Sequence, residues 1–388
     1  MNKDVCDVDL SADDVIVWQD ANERHVLPWR SVGGVHPPRR VRVADDTMTA
    51  DAAYRFACEG TALLWRGDFQ NARQLLQALG RRLDRKARPG TVADAAFPEA
   101  FHRKRMAQAQ RARILGMLLI PFEPGHVVPL RRAPDVRAAC EAARGESDQA
   151  YAMSLRELLG LIGAYEWRKK GVDVPATGGR IHAHYGVFSP VRGEYVALVA
   201  EVPLPAGASG GLAFDVGTGT GVLAAVLARR GVKRIVATDQ DVRALACARD
   251  NVVRLGLADR IEVIQADLFP PGRAPLIVCN PPWVPGKPSS ALEFAVYDPD
   301  SRMLKGFLAG LAGHLEPGGE GWLILSDLAE HLELRSRDEL LAWISQAGLV
   351  LLGRHDTRPT HARAADPDDP LYAARAAEVT SLWRLGTA

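Results

Sequence analysis

The stretch "LAFDVGTGTGVLAAVLA" (Leu212–Ala228) decides the reading of the second half of the chain. An apolar run of strand length meets a turn with glycines at Gly217, Gly219 and Gly221, and a run of helix-forming residues follows. Glycine permits a tight turn and lets the backbone come close to a ligand. The GxGxG spacing lacks the third glycine of the dinucleotide fingerprint, and no GK[ST] follows as in a phosphate-cradling loop. Many cofactors and some empty turns use a strand–turn–helix unit of this kind, so the loop alone does not name a ligand.

Outward from this turn, strand and helix patterns alternate from about Gly210, which implies a parallel sheet. Strands are expected at Leu212–Val216, Arg234–Thr238, Ile261–Ala266, Leu276–Cys279, Gly321–Leu325 and Gly348–Leu352. Helices are expected at Gly221–Arg230, Val242–Leu255, Ser301–His314 and Arg337–Gln346. A last β-rich run, "EVTSLWRL" (Glu378–Leu385), follows no long helix and suits an antiparallel strand.

Three acids stand at successive strand ends. Asp239 closes the second strand, where a carboxylate can take both hydroxyls of a ribose. Asp267 closes the third and is placed to hold an adenine amino group, with Leu268 packing on the ring. Asp215, before the glycines, suits a cationic ammonium better than a phosphate. An ammonium, a ribose and an adenine without phosphate describe S-adenosylmethionine, with Thr218 inside the loop that would cradle it. Each acid alone could be a helix cap or a solvated strand end.

The fourth strand runs into "CNPPW" (Cys279–Trp283). Asn280 can accept one N–H through its side-chain carbonyl and the Pro281 carbonyl can accept a second. Pro281 and Pro282 fix φ and restrict the residue before them, holding those acceptors rigid. Trp283 offers a flat face to a planar amide or base. Such a corner favours a nitrogen whose lone pair points at a methyl donor, through positioning rather than a dedicated base.

On "DVGTGTG", Asp239, "ADLF" (Ala266–Phe269) and "NPPW" (Asn280–Trp283), residues from about 185 to 388 resemble a class I S-adenosylmethionine-dependent methyltransferase. "NPPW" is similar to the NPPY motif of N-methyltransferases. With "DVGTGTG" it looks most like the HemK/PrmC branch, which methylates glutamine amides of translation release factors. The resemblance implies a Rossmann-like seven-stranded α/β sheet with one antiparallel strand. It also implies that "YGVFSPVRGEY" (Tyr185–Tyr195) covers the cofactor. The chain departs from that branch in its Trp at the fourth motif position and in its longer N-terminal region.

The domains expected are an irregular lead-in over 1–48, rich in Pro, Gly and charge; a mainly helical, basic, substrate-recognition domain over 49–171; a connector and cofactor lid over 172–209; and the methyltransferase domain over 210–388. Thr61–Gly145 holds 16 lysines and arginines against 7 acids although the whole chain carries only +1. That segment could dock on RNA or a ribosome through counterion release, or be helices with solvated arginine faces. Five scattered cysteines without CxxC spacing suit a reducing cytoplasm, and neither a signal peptide nor a membrane span is expected.

Phe188, Pro190, Glu293 and Tyr297 are candidates for the substrate pocket. The HxH of His182 and His184 has no third ligand nearby and reads as polar residues near the lid, so no metal is expected. Four functions stay open: methylation of a protein glutamine in a translation factor, methylation of an exocyclic amine of guanine or adenine in RNA, methylation of a small molecule, and non-catalytic binding.

Overall fold

The computed structural model describes residues 14–86, 97–191, 193–288, 291–359, 369 and 371–387. They fall into two compact units, one within Met1–Thr91 and Arg103–Tyr165, the other within Val92–His102 and Glu166–Ala388. Among them, no helix is long and apolar enough to cross a membrane.

The first unit corrects one expectation and adds to another. The lead-in carries three strands, β1 (Val15–Asp20), β2 (Glu23–Pro28) and β3 (Arg40–Ala44), with an irregular stretch between β2 and β3. The β1–β2 turn is Ala21-Asn22, both at positive φ (47° and 74°), a two-residue hairpin turn without the usual glycine. The first 13 residues of the lead-in lie outside the described residues. Residues 49–171 are mainly helical as expected, but three short strands among the helices join β3 in a sheet that was not expected, in the order β3-β4-β5-β6. Helix α1 (Ala50–Cys58) precedes β4 (Thr61–Trp65). Helices α2 (Phe69–Lys86) and α3 (Phe97–Leu115) precede β5 (Leu118–Phe122), and α4 (Arg137–Arg144) precedes β6 (Tyr151–Ser154). "TALLW" and "LLIPF" are five-residue apolar runs joined to amphipathic helices through Gly60 and Gly116. A short buried run cannot be told from a helix by periodicity, so both strands were hidden. Helix α5 (Leu155–Lys170) then leads into the second unit.

The second unit opens with the hairpin β7 (Val172–Val174) and β8 (Gly179–Ile181), then α6 (Glu194–Glu201). Next come β9 (Leu212–Val216), α7 (Val222–Arg229), β10 (Arg234–Asp239), α8 (Val242–Arg254), β11 (Ile261–Gln265) and β12 (Ala274–Cys279). After α9 (Arg302–His314) come β13 (Leu315–Ser326), α10 (Leu328–His331), α11 (Arg337–Gln346), β14 (Leu349–Thr357), α12 (Tyr372–Ala377) and β15 (Thr380–Thr387). The sheet order is β11-β10-β9-β12-β13-β15-β14, parallel except that β15 runs antiparallel to both neighbours. This is the seven-stranded class I methyltransferase arrangement that the motifs imply.

Alternation along the strands feeds two cores, as a sheet covered on both faces requires. Ala213, Leu276, Val278, Trp322 and Ile324 pack with α6, α7 and α8. Phe214, Val216, Ile277, Cys279, Leu323 and Leu325 pack with α9 and α11. Helix α7 is buried from Val222 to Ala228, so its sequence is apolar all round. The antiparallel register is pinned by Glu320, which accepts two bonds from Arg384 (2.8 and 2.5 Å) and one from the Trp322 indole (3.0 Å).

Candidate active site

Strand pairing brings the expected residues into one row. The last paired residues, Val216 on β9, Thr238 on β10 and Cys279 on β12, lie side by side. One step further along the same ends stand Gly217, Asp239 and Asn280. The glycine turn and the NPPW corner are thus on adjacent strands because of register alone. Ligands of open α/β sheets bind outside these carboxyl ends.

Thr238 wires the row together, and its role was not legible in sequence. It is buried, and its carbonyl accepts the N–H groups of Gly217 (2.9 Å) and Thr218 (2.8 Å). Its hydroxyl donates to the Leu268 carbonyl at 2.5 Å. Leu268 itself sits at φ +77°, a conformation costing a leucine roughly 1–2 kcal/mol. Its side chain presses on α9, where a Cβ at Gly306 would stand 2.6 Å from Leu268 Cδ1. Asp267 is 60% exposed and pairs with Arg302 at 2.7 Å. Both residues expected at an adenine therefore have protein partners as well.

Asp215 and Asp239 hold the loop. Asp215 is buried; its Oδ2 accepts the Thr218 hydroxyl (2.6 Å) and the Ala224 N–H (3.0 Å), tying the turn to the first turn of α7. Burial pushes its carboxyl up to about 6, because few groups there compensate the charge. Asp239 accepts the N–H groups of Gly219 (3.1 Å) and Asp241 (3.0 Å), and burial raises its carboxyl as well.

The turn is open on one side and closed on the other. A Cβ at Gly219 (φ +56°) would meet nothing within 4 Å, whereas one at Gly217 (φ +73°) would stand 2.3 Å from Met303 Cε. An open cradle with a half-buried carboxylate and a buried, under-compensated one fits a cationic, ribose-bearing ligand such as S-adenosylmethionine.

At the corner, Trp283 donates its indole N–H to Asn280 Oδ1 at 2.8 Å. The Trp283 ring also packs against both sheet cores and a third cluster of Ala100, Phe101, Val284, Leu328, Leu332, Leu371 and Ala374. Only the remainder of its face is available for stacking, so the ring braces Asn280 as much as it offers a plate. A carbonyl oxygen accepts two bonds, which leaves Asn280 one place for an acceptor N–H. Pro281 is buried and Pro282 half-buried.

The chain after the corner doubles back onto it. Val284 bridges Tyr297, with Val284 N–H donating to Val296 and Asp298 N–H to Val284. The Tyr297 ring lies against Gly286 and 6.2 Å from the Phe101 ring. Glu293 is half-buried in the short turn before it, its carbonyl accepting the N–H groups of Val296 and Tyr297. Buried Asp298, missed in sequence, accepts the N–H groups of Met303 (3.0 Å) and Leu304 (3.1 Å) at the start of α9. An Asp shortly before a helical run was the available signal.

The 172–209 segment rests on α8. Buried Asn251 accepts from the His182 N–H at 2.7 Å and donates to the carbonyls of His182 (3.3 Å) and Thr220 (3.0 Å), joining this segment to the glycine turn. His184 bonds Asp250 at 3.2 Å. Val187 packs on Ala244 and Cys247, Phe188 is half-buried and Pro190 buried. Among the described residues no group of three His, Cys, Asp or Glu could hold a metal ion. In the first unit, part of the basic surface is already paired, Arg82 with Asp51 and Arg111 with Asp84.

Residues 178–335 match the methyltransferase small domain family. The matched stretch contains the glycine turn, all three strand-end acids and the NPPW corner. Among curated relatives, a release factor glutamine methyltransferase of Cereibacter sphaeroides is 40% identical over 111 residues, 28% of this chain and 36% of the relative. A ribosomal protein L11 methyltransferase of Pelotomaculum thermopropionicum is 34% identical over 151 residues, 36% and 43% of the two chains. A tRNA1(Val) (adenine(37)-N6)-methyltransferase of Bacteroides thetaiotaomicron is 33% identical over 146 residues, 35% and 61% of the two. The chain thus spans under half the length of the first two and about three-fifths of the third.

Proposed function

We propose that this chain is an S-adenosylmethionine-dependent N-methyltransferase whose acceptor is a glutamine side chain of a protein. The observation that carries this reading is the seat of Asn280 on the strand next to Gly217, with its carbonyl held by Trp283. S-adenosylmethionine, when bound, supplies the electrophilic methyl. The chain's own groups do the rest by orientation. Asp215, Gly217, Thr218, Gly219, Gly221 and Asp239 form the cradle, with Asp267 and Leu268 at its edge.

Asn280 Oδ1 accepts one amide N–H and the Pro281 carbonyl accepts the other. Holding both N–H groups fixes the plane of the amide and so the direction of the nitrogen lone pair, which lies perpendicular to it. Positioning of this kind is worth several kcal/mol of barrier, on the order of 7 or more where the approach is fully aligned. Tyr297 and Glu293, folded back beside the corner, are the proposed wall of the acceptor pocket, with Phe188 and Pro190 on the side of the lid.

The release factor glutamine methyltransferase relatives favour a translation factor as the protein, and hence a cytoplasmic enzyme. A second reading, an exocyclic amine of RNA, is favoured by the tRNA methyltransferase relative and the arginine-rich α2 and α3. The two are separated by incubating the full chain with methyl-tritiated S-adenosylmethionine and a lysate lacking the enzyme. Label sensitive to protease and resistant to RNase supports the glutamine reading; the reverse sinks it.

A further inference from the structure

Arg335 lies in the turn between α10 and α11, beyond the carboxyl end of β13, and is only 4% exposed. Its Nη1 reaches the Trp283 carbonyl at 3.5 Å, the outer limit of a hydrogen bond. Among the described residues its Nε and Nη2 have no hydrogen-bond partner. These two nitrogens make up the side edge of the guanidinium, whose parallel N–H groups match the two oxygens of a carboxylate. A buried guanidinium with that edge unfilled is costly, and a chain keeps such a group where something fills it.

The acids nearby do not fill it. Glu330, Asp298 and Glu339 attract the charge and Arg337 opposes it. Glu330 is taken by Arg337 at 2.8 Å, and Asp298 by the N–H groups of Met303 and Leu304. Glu339 closes the capping box of α11 with Ser336. The fork therefore sits one residue's contact away from the NPPW corner, its side edge unmatched by any of these acids. The same acids would repel a row of phosphates more than a single carboxylate seated on the fork, which disfavours an RNA backbone.

We propose that Arg335 binds a carboxylate that the acceptor peptide carries beside its target amide. This rests on the glutamine reading and adds a specificity element to it. The carboxylate can come from a neighbouring acidic side chain or from a C-terminal glutamine.

The test is calorimetric binding to the full chain loaded with S-adenosylhomocysteine, so that no turnover is needed. One probe pair is Nα-acetylglutamine against its neutral amide; the other is acetyl-Gln-Glu-amide against acetyl-Gln-Gln-amide. The charged member of one pair should bind about tenfold tighter, and which pair does so names the source. Arg335→Met should erase the preference without changing the neutral probe, and Arg335→Lys should keep part of it. Equal binding within both pairs, no binding of either charged probe, or a preference unchanged in Arg335→Met overturns the proposal. So does Arg335-dependent binding of a short RNA that the charged peptides do not displace. Should the variants not fold, the wild-type pairs alone still decide. Absence of methyl transfer to glutamine would overturn the proposed function and leave a measured carboxylate preference standing; transfer without preference would overturn only this inference.

Discussion

The indole N–H of Trp283 bonds the side-chain oxygen of Asn280 at 2.8 Å, three residues back across two prolines. The residue that departs from the NPPY pattern is thereby the one that fixes the amide meant to orient the acceptor. A phenylalanine would keep most of the packing and lose the donor. Trp283→Phe is expected to slow single-turnover methyl transfer about tenfold to a hundredfold, as a small loss of alignment does. Calorimetric affinity for S-adenosylmethionine should stay within about twofold. An unchanged rate would mean that the bond only packs the corner.

Asp215 makes stability depend on pH in an unusual direction. Its folded value of about 6 lies above the ordinary 3.8, so the native state holds the proton that the unfolded state has released. Stability is therefore greatest below about 4 with respect to this group and falls as pH rises towards 6, by about 3 kcal/mol at most. Asp215→Asn removes that dependence. Urea midpoints at pH 4.5 and 7.5 should differ less in the variant than in wild type, and the variant should be the more stable at pH 7.5. Its affinity for S-adenosylmethionine should fall, since a cation beside the carboxylate recovers the cost of burying it.

Asp298 links the corner to α9. It accepts two buried N–H groups there, and the following Asp300 and Ser301 lie at positive φ (54° and 53°). Asp298→Ala leaves those donors unpaired beside a strained entry. The cost should be about 2 kcal/mol, seen as a fall of roughly 4–8 °C in melting temperature. Because Met303 on the same turn lies over Gly217, S-adenosylmethionine affinity should weaken too. Asp298→Asn keeps one of the two acceptor oxygens and sets its NH2 against the other N–H, so it should restore only part of both.

The central strands of the second unit were legible in sequence because they are closed by punctuation with a physical meaning. Glycines at 217, 219 and 221 end β9, Asp239 ends β10, and Asn280 with two prolines ends β12. The strands of the first unit were not legible for the opposite reason. Ala21-Asn22 turns a hairpin without glycine, and "TALLW" and "LLIPF" are too short to show a period of their own. Within the site, the residues proposed to touch a ligand are ones that residue type singles out. The ones that hold them, Thr238, Asn251 and Asp298, are ordinary polar residues whose value comes from the carbonyl or N–H they happen to meet. Asp267 and Leu268 show the same limit from the other side, since Arg302 and Gly306 come to them from a helix distant in sequence.

The central claim is that the NPPW corner transfers a methyl group to a glutamine amide nitrogen. Tandem mass spectrometry of the acceptor isolated from a wild-type reaction tests it most directly. One added methyl is expected on the side-chain nitrogen of a glutamine, absent with Asn280→Ala although that variant still binds S-adenosylmethionine. A methyl on a nucleobase, or a methylated glutamine that persists with Asn280→Ala, would contradict it.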